Sequence, residues 1–134
     1  LRIKFISLIT IIISGLISCE NSNQKEFFDK IVYDEYYSKY QGLVIKKYID
    51  KQNRGRPIIV VRNENFGNEK KDFIFQSTRI FDFIEVGDTI SKNRESLFVT
   101  IKRTDLDTVI KLDFGNIKGK EKYYSENEYL MINK

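Results

Sequence analysis

The sequence predicts a mainly β domain, a small antiparallel β-sandwich or partly open barrel with one N-terminal helix; an α+β arrangement is the alternative. Three observations predict it. Short β-branched and aromatic runs recur from Gly42 onward, as LVIKKYI, PIIVVR, DFIFQ, SLFVTIKR and TVIKLDF. Turn-rich stretches such as DKQNRGR and NENFGNE separate them. Only one segment, FFDKIVYDEYYSKY, repeats its apolar residues at helical spacing.

The first segment is read outside the fold. Arg2 and Lys4 precede an apolar stretch from Phe5 to Ile17, followed by Ser18 and Cys19, the charged, apolar and small-residue order of an export signal. The stretch is shorter than the roughly 20 residues a membrane-spanning helix needs. Leu1 in first position leaves the true start residue open.

Leu16-Ile17-Ser18-Cys19 resembles the lipobox of bacterial lipoproteins. The resemblance implies cleavage before Cys19, a diacylglycerol on its sulfur and an acylated amine, and hence a membrane partner. One acyl chain holds only weakly, at about 0.8 kcal/mol per buried methylene, whereas several give durable anchoring. The competing reading is an ordinary buried thiol after an apolar helix. On the lipoprotein reading, residues 1–18 are a signal peptide and 19–26 a polar tether. Residues 27–115 then form a single β-rich domain with its helix, and 116–134 a tail with a possible final strand.

Composition narrows the chemistry. Loss of residues 1–18 takes two basic residues from the 23 in the chain and none of its 19 acids, so the mature net charge falls to +2. The overall basic balance is therefore a poor argument for nucleic acid. With no histidine and one cysteine, the chain has no Ser-His-Asp triad, no Cys-His pair, no imidazole zinc site and no internal disulfide. Paired-carboxylate glycoside hydrolysis is the main chemistry left open. No cofactor is expected.

Within the domain, Asn23 followed by Glu26 predicts a helix start, and Phe28, Ile31, Val32 and Tyr36 continue on one face. Gln41-Gly42 predicts its stop. Pro57 opens its run and so removes no interior ladder donor. The segment RIFDFIEVGDTISK predicts a short helical turn at Ile80 to Ile84, then a tight corner at Gly87-Asp88. In SLFVTIKRTDLDTVIKLDF, a turn at Thr104 to Asp107 would pair Arg103 with Thr108, Ile101 with Ile110, Val99 with Leu112 and Leu97 with Phe114. That register gathers their apolar side chains on one face. The ending YYSENEYLMINK suggests a last short strand at Tyr129 to Ile132.

Candidate recognition residues are Tyr33, Tyr37, Tyr48, Lys46, Asp88 and Lys92. Tyr33, Tyr36, Tyr37 and Tyr40 offer rings with polar tips, although helical spacing commits several to packing. Lys46, Lys47, Lys51, Arg54, Arg56 and Arg62 surround the first strand pair and read mainly as solvated edge charges, with Lys46 and Lys47 on opposite sides. Asp88 and Lys92 flank the corner, which structure alone explains. Asp105, Asp107 and Asp113 offer oxygen ligands but lack the pattern of a calcium loop, so no metal is expected.

The stretch from Gly42 to Arg103, with GLVIKKYID and FDFIEVGDTISK, resembles small lipoproteins of Bacteroidota-type bacteria. The resemblance implies an envelope β-domain and carries over no catalytic residue. The expected function is a lipid-anchored, non-enzymatic binding or scaffolding module, at the outer membrane, for an envelope protein or glycan. An inhibitor or immunity-type protein acting on a lytic enzyme is the first alternative. A glycan-active enzyme with two carboxylates is the second.

Overall fold

A computed structural model describes residues 23–132. The predicted signal peptide and Cys19 lie outside the described residues. Helix α1 occupies 23–37, so residues 23–26, read from the sequence as tether, are helical. The helix closes at Ser38, whose backbone N–H and hydroxyl both donate to the Glu35 carbonyl, at 3.1 and 2.9 Å.

Six strands follow: β1 Tyr40–Asp50, β2 Arg56–Asn63, β3 Gly67–Asp72, β4 Thr89–Lys92, β5 Phe98–Arg103 and β6 Leu106–Lys111. They form one open antiparallel sheet in the order β3-β2-β1-β4-β5-β6. The short helices are α2 Thr78–Phe83, α3 Lys120–Tyr124 and α4 Glu128–Met131. The fold is mainly β with an N-terminal helix, and helices supply the second layer. Phe28 and Val32 of α1, Ile80 and Phe81 of α2, Tyr123 and Leu130 pack with Val44, Ile59, Val61, Ile90, Val99 and Ile101 of the sheet. Burying such side chains contributes about 1.5 to 3 kcal/mol each. The alternate sheet residues, among them Leu43, Lys46, Tyr48, Val60 and Val109, are half-buried or exposed.

Gly42 does not stop α1. It sits inside β1 at φ +148°, where a Cβ would lie 2.2 Å from the Arg62 carbonyl oxygen, so the glycine permits close approach of β1 and β2. Further along β1, Val44 pairs with Val61 while Lys46 pairs with Val60, leaving Ile45 as the extra residue of a bulge. The bulge changes the alternation. Lys46 turns outward, and Lys47 shares the inner face with Val44 and donates to the Asp82 and Ile84 carbonyls at the end of α2.

The DFIFQ run is not a strand. The third strand is GNEKKD, paired from Gly67 with Asn63 to Asp72 with Ile58, and Phe73 to Gln76 turn away from the sheet. An edge strand with one partner tolerates this charged sequence, which hydrophobic pattern alone would not select. Phe73 and Gln76, both within the connection from β3 to α2, are buried.

The last hairpin is tighter than expected. Arg103 pairs with Leu106, Ile101 with Thr108 and Val99 with Ile110, a two-residue shift from the predicted register. The turn is Thr104-Asp105, and neither residue has the positive φ of the usual two-residue hairpin turns, so no glycine or asparagine marked it. A shift of two preserves side-chain direction. Leu97, Val99, Ile101, Leu112 and Phe114 are buried, while Lys102 and Val109 are exposed.

The ending is also corrected: Tyr129 to Met131 belong to helix α4, not to a strand. Asn127 caps it, accepting from the Tyr129 and Leu130 N–H groups, and its amide donates 2.8 Å to Asp29 of α1.

Candidate recognition surface

Helical spacing places Tyr33, Tyr36 and Tyr37 on one flank of α1, and α4 brings Tyr129 beside them. The rings of Tyr33 and Tyr37 lie 4.7 Å apart, those of Tyr36 and Tyr129 4.6 Å, and Tyr129 is within 5.9 Å of both Tyr33 and Tyr37. The Arg94 guanidinium stands 5.6 Å over the Tyr37 ring. Tyr33 remains 49% exposed, so the cluster has an accessible rim. Loss of solvent among the rings, and then the Glu128 carboxylate, push the Tyr129 hydroxyl up to about 12, which keeps it neutral and able to donate. The platform combines flat apolar area, hydroxyl donors and one cation, a chemistry suited to sugar faces or protein side chains.

The other sequence candidates lie apart from this platform. Lys46 and Tyr48 are on the outward face of β1, with the Lys46 ammonium 4.9 Å from the Tyr48 ring. Asp88 and Lys92 are both buried. Asp88 binds Arg103 through both oxygens, at 2.7 and 2.8 Å, and accepts the Glu85 N–H at 2.8 Å. Lys92 donates to the Ser38 carbonyl at 2.8 Å and to the Asn93 carbonyl at 3.3 Å, tying the end of α1 to β4. Burial lowers the Lys92 ammonium to about 8. The Glu35 carboxyl nearby is raised, mainly by burial and against the pull of Lys92 and Lys71. Tyr40, buried between Lys71 and Lys92, is raised well above the ordinary phenol range, first by burial and then by Glu35.

Asp34, Glu35 and Asp72 line one side of a shallow cleft of about 180 Å³. Asp34 pairs with Lys30, Asp72 with Arg56, and Glu35 accepts from Ser38. The cleft is smaller than the roughly 300 Å³ at which ligand pockets usually begin. Of the proposed cation ligands, Asp107 pairs with Lys102 and Asp113 accepts the Ser77 and Gly115 N–H groups. Among the described residues no group of three or more His, Cys, Asp or Glu side chains is placed to hold a metal. The basic residues disperse, with Lys47 against α2 and Arg56 on Asp72.

Tyr129 and Arg94 are the platform members that the sequence reading missed. The signal for Tyr129 was Asn127 as a helix cap, and Arg94 had no local signal, because only the turn between β4 and β5 brings it to α1. Among the described residues no helix is long and apolar enough to cross a membrane. No protein-family profile matches the chain, and no curated protein or solved structure is significantly similar to it.

Proposed function

We propose that the protein is a lipid-anchored module of the cell envelope, held through Cys19 at the outer membrane, that binds a protein or glycan without catalysing a reaction. The observation that carries the binding reading is the tyrosine platform: four rings, each in contact with at least two of the others, with Tyr33 half exposed and Arg94 at the edge. A helix flank needed only for packing would turn its rings inward. The anchoring half rests on the lipobox-like segment.

The test is crosslinking and capture from intact cells, comparing the wild type with Cys19→Ala and with Tyr33→Ser/Tyr37→Ser. The expected result is one partner, retained by the wild type and reduced at least severalfold by the tyrosine pair. Equal retention by the tyrosine variant would reject the platform.

One observation favours the inhibitor reading as a second. Phe66, on the turn between β2 and β3, is 89% exposed, and a lone aromatic on a protruding turn suits insertion into another protein's cleft. A partner that is a lytic enzyme, lost with Phe66→Ala and kept with the tyrosine variant, would select this reading. Cleavage in a polysaccharide screen would select the glycan-active alternative.

A further inference from the structure

Phe27 is 54% exposed although it belongs to the same helix as the fully buried Phe28. Its ring meets Phe75 edge-on at 5.9 Å. With Gln24, Asn116, Ile117 and Lys118 these two rings line an apolar groove of about 350 Å³ at the starting end of α1. Lys118 is exposed at its rim. Lys25, two residues before Phe27 on the same helix, is engaged by Asp29 at 2.6 Å, so the apolar surface rather than net charge distinguishes this end.

We infer that this end of the domain, Phe27 and Phe75 with the Lys118 rim, rests on the bilayer interface, and that its partner is the lipid surface itself. The inference depends on the lipid-anchor reading of Cys19. Covalent reach supplies the argument: Cys19 is four positions before residue 23 of α1, a separation of at most about 14 Å in any conformation. The acyl chains therefore enter the membrane within a short distance of the groove. An exposed phenylalanine, backed by the half-buried Phe75 and flanked by a lysine, matches the apolar and basic residues that settle into the headgroup boundary, where the ring loses water and the ammonium keeps it. The tyrosine platform begins six residues further along α1, about 9 Å, which lifts it off the bilayer and leaves it accessible. Phe66 borders Lys39 and Gln41, beyond the other end of α1.

The chain contains no tryptophan, so a single introduced indole reports its own depth. Phe27→Trp, Lys118→Trp and Phe66→Trp are made in the full lipidated protein and incorporated into vesicles of phosphatidylethanolamine and phosphatidylglycerol carrying lipids spin-labelled near the headgroup. The expected result is quenching at positions 27 and 118 severalfold stronger than at 66, with blue-shifted emission at 27. Folding of each variant is checked by circular dichroism, and Lys118→Trp keeps the question answerable if Phe27→Trp misfolds. Equal quenching at both ends, stronger quenching at 66, or no quenching in protein that floats with the vesicles would overturn the orientation alone. Protein that fails to float would overturn the anchor reading and the orientation with it.

Discussion

Asp88 and Arg103 form a forked ion pair across the corner that joins α2 to β4. Both carboxylate oxygens are engaged, Nε at 2.7 Å and one terminal nitrogen at 2.8 Å, and that nitrogen also donates to the Phe83 carbonyl at 2.9 Å. Backbone bonds from Val44 to Asp88 and from Gly87 to Val44, each 2.8 Å, secure the same corner to β1. One side-chain pair thus connects the turn, α2 and the end of β5. Asp88→Asn should destabilise by about 3 kcal/mol, the usual scale for removing one partner of a buried pair, read from urea unfolding. The guanidinium holds the Asp88 carboxyl below the usual carboxylate range, so this contribution is complete above about pH 4 and is lost as pH falls through the folded value. The acid limb of the stability curve should flatten in Asp88→Asn.

Lys92 gives the opposite limb. A base whose folded value is lowered to about 8 binds its proton more weakly than the unfolded chain does. Stability therefore rises with pH above about 8, until the unfolded lysine also deprotonates near 10.4. Tyr40 opposes this above about pH 10, because its raised folded value makes ionisation favour unfolding. Urea midpoints should climb from pH 8 to 10 in the wild type and not in Lys92→Met. A flat wild-type profile would contradict the burial of a neutralisable amine.

Gly42→Ala should cost at least about 2 kcal/mol. The new methyl would meet the Arg62 carbonyl oxygen at 2.2 Å and its carbon at 2.7 Å, both backbone atoms, so β1 and β2 would have to part. Gly67→Ala makes the control, since nothing lies within 4 Å of its Cβ position. It should cost only the strain of its φ of +77°, about 1 kcal/mol. Thermal unfolding of the two variants checks the ordering.

Gln76 is buried, and its side-chain oxygen accepts the Asp113 N–H at 3.1 Å and the Phe114 N–H at 3.0 Å. Phe114 holds a φ of +52° at that point. Gln76→Ala should cost about 2 to 3 kcal/mol through two unsatisfied backbone donors. Hydrogen exchange at residues 113 and 114 should accelerate before that of the sheet.

The sequence made some elements legible and hid others for physical reasons. The helix, the short α2 turn and the inward residues of β5 and β6 followed from periodicity, and a register error of two left the faces unchanged. β3 was hidden because its stability comes from pairing with β2 rather than from its own apolar content. The Gly42 reading failed because one residue type serves helix ends and strand contacts alike. Helical spacing put Tyr33, Tyr36 and Tyr37 on one flank of α1, but their contact with Tyr129 depends on α4, nearly a hundred residues further along the chain. Asp88 and Lys92 were candidates for a recognition surface beside the corner, but Arg103 and the Ser38 carbonyl, both distant in sequence, receive them in the interior.

The two edges of the open sheet are unequal. β3 carries four consecutive charged residues, Glu69 to Asp72, whereas β6 has charges only at Asp107 and Lys111, with the uncharged run Thr108, Val109 and Ile110 between them. A charged edge discourages a further strand, and an apolar one invites it. Growth of a head-to-tail ribbon needs the first edge to accept the second, and the charges of β3 disfavour that step. Strand addition would thereby favour a pair meeting through β6, which covers both of the less charged edges and leaves the charged ones outside.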